Sequence, residues 1–208
     1  MNHIDISLLP ILRSGRSRLP GLLGFPGHHI VIPADIRTIW GDKVGCLMSV
    51  DQGRKRAALV QIELQATRDP NVTTRMLTFL SAIRAWAITQ RQFEGTRLRQ
   101  TVVYVGSKPW KPRAEIKDHG LYYSHGFVDA RDIDPETLLT SDNLGDVAFA
   151  VLCRDGARSG LRKALDRIVA APFASRTDAL ATLGRLADLR GIGDRIRSEI
   201  AKTGVVVS

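Results

Sequence analysis

The clearest alternation of apolar and polar positions in the chain is the run Ala57-Ala-Leu-Val-Gln-Ile-Glu-Leu-Gln65. Val60, Ile62 and Leu64 share one face of an extended segment, and Gln61, Glu63 and Gln65 share the other, because side chains alternate with period two along a strand. Glu63 and Gln65 therefore point the same way, with Cβ atoms roughly 6.5–7 Å apart at the rise of a strand. One ion or one water fits between two such side-chain tips. The plainer alternative is the solvent face of an edge strand, where a Glu two residues before a Gln is common.

Neighbouring patterns build outward from this strand. Val44-Gly-Cys-Leu-Met-Ser-Val50 reads as a second strand, and the turn Asp51-Gln-Gly53 with the basic run Arg54-Lys-Arg56 makes the two an antiparallel hairpin. Residues 1–27, interrupted by Pro10, Pro20 and Pro26, predict one or two short helices. Ile30-Val-Ile-Pro33 predicts a short strand ending at the proline. His28 and His29 just before it would point to opposite faces, which disfavours a shared metal ion.

Downstream, Asp69-Pro70 predicts a helix start, with a capping carboxylate and proline at the first helical position. That helix should run to about residue 94, with Val72, Met76, Phe79, Leu80, Ile83, Trp86 and Ala87 as a core-packing stripe. Thr101-Val-Val-Tyr-Val105, closed by Gly106, reads as a buried strand, so residues 57–105 form a strand, crossover helix, strand unit, parallel and right-handed. Residues 107–119 read as a loop, and residues 121–128 as one further strand carrying His125. Beyond Asp134-Pro135 the pattern is helical, over about 136–153, 158–171, 175–189 and 193–202. Residues 1–130 thus form an α/β core and residues 131–208 a helical extension packed on it, together one structural domain.

Composition narrows the class. The 208 residues are 44% hydrophobic and 25% charged, a globular balance with enough chain for a sizeable core. Thirty Lys+Arg against 21 Asp+Glu leave a formal charge of +9, which suits a polyanionic partner such as nucleic acid, though a merely soluble basic protein has the same balance. Cys46 and Cys153 lie far apart in apolar surroundings with no metal spacing, so a reducing cytoplasm fits. The Arg-rich segment at residues 11–20 lacks the apolar core of a signal peptide, and no run approaches about 18 apolar residues, so no membrane span is expected.

The run Leu59-Val-Gln-Ile-Glu-Leu-Gln65, then Asp69-Pro70, Arg75-Met-Leu on a long helix, and Val102-Val-Tyr-Val-Gly106 resembles the PD-(D/E)XK nuclease superfamily. Its nearest branch by this likeness is the transposase-like, recombination-promoting nucleases. The likeness continues through Asp129-Ala-Arg-Asp-Ile-Asp-Pro-Glu and Ser141-Asp-Asn-Leu-Gly-Asp146, and covers most of residues 40–190. It implies a restriction-endonuclease-like core of mixed β-sheet flanked by helices, holding Mg²⁺ (or Mn²⁺) for hydrolysis of DNA phosphodiesters. Glu63 would ligate the metal and Gln65, where relatives carry Lys, would orient the attacking water. Mg²⁺ needs only one or two carboxylates plus substrate phosphate, and lowers the pKa of the nucleophilic water. The position expected to hold the motif Asp is Gly45, leaving Asp42 and Asp51 as nearby acids, with Asp42 the candidate second ligand.

Three readings follow. In the first the chain is a metal-dependent DNA endonuclease with Glu63 and Gln65 catalytic, for which cutting both strands would call for a homodimer. In the second the fold has lost its chemistry through Gly45 and persists as a DNA-binding or interaction module, with salt-dependent binding indifferent to Mg²⁺. In either, Arg54, Lys55, Arg56, Arg75, Lys108 and Lys111 are the candidate phosphate contacts, although a solvated hairpin tip and an exposed loop account for most of them equally well. In the third, Leu189-Arg-Gly-Ile-Gly-Asp-Arg-Ile presents a helix-hairpin-helix turn to a DNA phosphate, against the plainer reading of a helix stop and restart.

Overall fold

Alternating apolar residues supply the strands of the computed structural model, which describes residues 9–12, 15–53 and 55–202. The strands are β1 (His28–Val31), β2 (Cys46–Gln52), β3 (Lys55–Gln65), β4 (Arg97–Tyr104), β5 (Glu115–Asp118), β6 (Leu121–Ser124) and β7 (Gly126–Asp129). Five of them make one mixed sheet in the order β1-β2-β3-β4-β7. β1, β2 and β3 run antiparallel to their neighbours, whereas β3, β4 and β7 are parallel. Between β2 and β3, Gly53 takes a left-handed φ of 73° and its N–H donates to Asp51 Oδ1 at 2.8 Å, the geometry the predicted turn needs.

Helices cover both faces. The short helices α1 (Leu9–Leu12) and α2 (Leu19–Leu22) precede the sheet, and α3 (Val72–Thr89) is the crossover between β3 and β4. α4 (Glu136–Leu139), α5 (Leu144–Phe149), α6 (Leu161–Val169), α7 (Phe173–Arg190) and α8 (Gly193–Lys202) follow β7. Val72, Met76, Phe79, Ile83 and Ala87 of α3 pack on Leu47, Leu59 and Val102 from one face of the sheet. On the other face, Met48, Val60, Ile62 and Val103 join Leu12 and Leu19 with Val147, Leu165 and Leu183 in a single cluster. Core and helical extension therefore share one interior, and each fully buried aliphatic side chain contributes roughly 1.5–3 kcal/mol.

The structure departs from the pattern-based elements where tertiary partners decide. Residues 121–128 are two strands: β6 pairs with β5 in a separate hairpin, β7 pairs with β4, and the break falls at His125. The segment 107–119 is correspondingly not all loop, since it holds β5. The helix over 136–153 is divided at residues 140–143, where Asn143 caps α5 by accepting from the Gly145 N–H at 2.8 Å. Asp146 explains the division. Its fully buried carboxylate accepts hydrogen bonds from Ser17 Oγ (2.5 Å), Arg18 N (2.7 Å) and Ser141 Oγ (2.7 Å), tying the start of the chain to the helical layer.

Candidate functional site

The polar face of β3 is not a solvent face. β3 is the central strand of the sheet, and Gln61 and Gln65 are buried while the Glu63 side chain is 12% exposed. Covering this polar row is α3. Gln100 of β4, paired beside Gln61, donates from Nε2 to Gln61 Oε1 at 2.6 Å and to the Met76 carbonyl at 2.9 Å, and its Oε1 accepts from Tyr123 Oη at 2.9 Å. Nearby, the His125 ring contacts Thr73 Oγ1 at 3.2 Å and the Gly126 carbonyl at 2.8 Å. Burial holds the His125 pKa below its usual 6.5 despite that carbonyl.

At the carboxyl end of β3 the row closes on Arg75, projecting from the first turns of α3. Arg75 Nη2 donates to Gln65 Oε1 at 2.6 Å and stands 4.0 Å from Glu63 Oε1, while Nη1 is ion-paired to Asp69 Oδ2. The Arg75 and Asp69 side chains are only 10% and 4% exposed. Gln65 is oriented from its other end by donating to the Thr67 carbonyl at 2.7 Å. Four residues from one strand, one loop and one helix thus form a single buried cluster of two carboxylates, one amide and one guanidinium.

Asp69 is the member that pattern reading assigned to another task. Expected to cap the helix, it instead accepts from Asn71 N at 2.8 Å and pairs with Arg75, and α3 starts at Val72 without a side-chain cap. Arg75, expected as a phosphate contact, is turned inward, because a guanidinium beside two buried carboxylates gains more there than at the surface.

Opposite Glu63 in the antiparallel register stands Gly45. A Cβ built there would lie 2.5 Å from Glu63 Oε2 and 3.0 Å from the Ile62 carbonyl, so position 45 faces the Glu63 carboxylate directly and a side chain would have to displace it. Asp42 belongs to a separate turn, where its N–H donates to Thr38 Oγ1 at 3.2 Å and its carbonyl accepts from Thr38 N at 2.9 Å. Among the described residues, no three His, Cys, Asp or Glu side chains come together as a metal-binding group. The donor set around Glu63 fits a guanidinium, with hydrogen-bond acceptors on two sides of it. As it stands it does not fit Mg²⁺, because both carboxylates of the cluster lie against the Arg75 guanidinium and position 45 on the facing strand supplies none.

The remaining expected contacts separate into two places. Lys108 and Lys111 are exposed in the loop after β4, and the exposed Arg68 after β3 reaches that loop by donating to the Pro109 carbonyl at 2.7 Å. Trp110 anchors the loop against Tyr104 (ring centroids 5.1 Å) and Phe127 (5.6 Å). Arg131 and Arg190 lie at the same strand ends on either side of Asp129. Burial would raise the Asp129 pKa, but hydrogen bonds and charge from Arg131, with Arg190 behind, hold it below the usual carboxylate value. Arg131 pairs with this carboxylate while Arg190 donates to the Gly106 and Leu152 carbonyls, so two guanidiniums stand near one carboxylate.

Lys55 and Arg56 begin β3, at the far end from this rim and about 33 Å from Gln65 by the rise of the strand. Arg54 lies outside the described residues. At the other candidate site, the turn between α7 and α8, Gly191 adopts φ 73° and ends α7 with N–H bonds back to the last carbonyls. The Asp188 carboxylate occupies the space beside Gly193, and Arg197 bonds both Asp188 (3.0 Å) and Asp194 (2.8 Å). The start of α8 is therefore already furnished with carboxylates, which a helix N-terminus favours.

Burial raises both Cys46 and Cys153 thiols to about 12, so neither is a nucleophile at neutral pH. No helix among the described residues is long and apolar enough to cross a membrane. No protein-family model matches the chain, and comparison with curated proteins and with solved structures finds no significant match.

Proposed function

We propose that this chain is a DNA-binding protein built on a nuclease-like α/β core, in which Arg75 stands where a catalytic cation would sit and binding proceeds without metal. The observation that carries the reading is the Glu63–Gln65–Asp69–Arg75 cluster facing Gly45. A fixed guanidinium neutralises the carboxylates permanently, whereas a hydrolytic site must leave them to a metal and its water. Ligands of parallel α/β sheets gather outside the carboxyl ends of the strands, and here those ends carry Arg68, Lys108, Lys111 and Arg113 in exposed positions. A net charge of +9 draws a polyanion toward that rim. The Mg²⁺-dependent endonuclease reading asks for Arg75 to withdraw and a second acid, Asp69 or Asp42, to turn toward Glu63.

Fluorescence anisotropy with a labelled duplex tests the binding. Affinity should fall linearly on a log–log salt plot by roughly 0.9 per phosphate neutralised, with the same line in Mg²⁺ and in EDTA. The double variant Lys108→Glu, Lys111→Glu should flatten that slope by about two, as two phosphate contacts are lost. Binding that disappears in EDTA, or that ignores both lysines, contradicts the proposal.

A further inference from the structure

The loop that carries Lys108, Lys111 and Arg113 continues directly into β5, which pairs with β6 in a two-stranded hairpin apart from the main sheet. One face of this hairpin holds it to the protein. Ile116 and Tyr123, opposite each other in the register, join the cluster that α3 forms with the sheet, and Tyr123 Oη donates to Gln100. By alternation the other face carries Glu115 and Lys117 on β5, with Ser124 and Tyr122 opposite them on β6. Tyr122 is 68% exposed, and Lys117 Nζ stands 5.8 Å from its ring centroid. A hairpin needs one apolar face against a core, so the fold itself gives Tyr122 no task.

Charge and position select the ligand. Among the described residues, none of the exposed Arg68, Lys108, Lys111 and Arg113 is ion-paired to a carboxylate, so their charges are open to an anion. The acids of the hairpin are occupied. Glu115 pairs with Lys117 at 3.0 Å, and Asp118, on the face away from Tyr122, accepts from the His119 N–H at 2.7 Å in the tip turn. The basic segment is fixed relative to the hairpin, because the Arg113 carbonyl accepts from Thr73 Oγ1 and the Ala114 carbonyl from the His125 N–H at 3.1 Å. Lys117, the register partner of Tyr122, follows Arg113 by four residues, at most about 14 Å of chain. An exposed ring among polar neighbours, a short step from unpaired cations, is the pairing of stacking platform and phosphate track that holds an unpaired strand. A blunt duplex keeps its bases stacked on each other and leaves the ring unused, and a protein partner would call for apolar neighbours that this face lacks.

We propose that Tyr122 stacks on an unpaired base of a DNA strand whose phosphates lie along Arg113, Lys111 and Lys108, so that the chain prefers DNA with a single-stranded segment to blunt duplex. This inference rests on the DNA-binding reading, and fluorescence anisotropy of the full chain separates the two. The probes are a labelled blunt duplex and the same duplex with a thymidine tail of about eight nucleotides. The tail should tighten binding by the native chain roughly 5- to 150-fold, the gain from one stacked base. Tyr122→Ala should lose that gain while holding the blunt duplex as before, with an unchanged salt slope, and Tyr122→Phe, which keeps the ring, should keep the gain. Equal affinity of the native chain for both probes, a gain that survives in Tyr122→Ala, or a loss of both probes alike in folded Tyr122→Ala overturns the inference and leaves the DNA-binding reading standing. A native chain that binds neither probe overturns both.

Discussion

The two faces of β3 are both buried but of opposite character. One, formed by Val60 and Ile62 with Met48 and Val103 beside them, is apolar throughout and packs on the helical layer. The other carries Gln61, Glu63 and Gln65, flanked by Gln100, and is buried as well, beneath α3. Both faces are removed from water, but only one gains by it. Apolar burial is favourable in itself, whereas each buried amide or carboxylate must recover its lost hydration through specific partners. Gln100 recovers it from Gln61, Met76 and Tyr123, and Gln65 and Asp69 recover it from Arg75, which also stands 4.0 Å from Glu63. A polar row buried in mid-sheet is a costly way to hold a helix on a sheet.

Substitutions at matched positions should separate the two faces. The largest effect is expected for Arg75→Ala, which takes from the buried Asp69 carboxylate the guanidinium it is paired with and should cost about 3–5 kcal/mol in a urea titration. Removing the charges together, as Glu63→Gln, Asp69→Asn, Arg75→Met, should recover much of that loss. If the triple variant is no more stable than Arg75→Ala, the cluster is not the coupled unit described above. Ile62→Ala, on the apolar face one residue away, should cost about 2–5 kcal/mol through lost transfer energy and a cavity, with no rescue from any charge change.

Gln100→Ala removes a side chain with three partners and strands buried groups of Gln61 and Tyr123, for an expected loss of about 1–3 kcal/mol. An effect within about 0.5 kcal/mol would show that the network is slack. The smallest effect is one of pH. His125 and His29 are both held below the ordinary 6.5, chiefly by burial, so the unfolded chain takes up their protons more readily than the folded one. Their contribution is therefore complete above pH 6.5 and is lost as pH falls below it. The urea midpoint should drop between about pH 7 and 5, and His125→Gln should flatten that drop. An unchanged slope in His125→Gln would mean that His125 does not titrate in this window.

How much of this could be read from the chain depends on where each residue finds its partners. β3, β4, α7 and α8 follow from local periodicity, and α8 spans the residues its pattern predicts, because the amphipathic stripe and the Gly191 stop lie within the segment itself. The break of residues 121–128 at His125 is not local. β6 pairs with β5 and β7 with β4, so pairing partners on two different sheets divide what reads as one strand. The division of residues 136–153 likewise depends on Asp146 accepting from Ser17 and Arg18 across more than a hundred residues of chain.

At the site, Glu63 and Gln65 on one face and Gly45 opposite were legible from alternation and the hairpin register. The burial of that face was not, since Gln61, Glu63 and Gln65 have the composition of a solvent face and only α3 lying across them changes its meaning. Nor was the pairing of Asp69 with Arg75. Asp-Pro before an apolar stripe is a strong helix-start signal, and only the inward turn of Arg75 shows that the carboxylate serves a different cation. A spacing of six residues between Asp and Arg across a helix start, next to an acidic strand end, is the signal that would have suggested it.

The most direct test of a guanidinium in the place of a metal is the integrity of supercoiled plasmid incubated with the native chain in Mg²⁺ or Mn²⁺, beside Glu63→Ala and an EDTA control. The proposed reading predicts DNA bound and left intact in every lane, with no difference between native chain and variant. Nicking or linearisation by the native chain that vanishes in both Glu63→Ala and EDTA would contradict it, and would show that Arg75 yields its place to a catalytic ion.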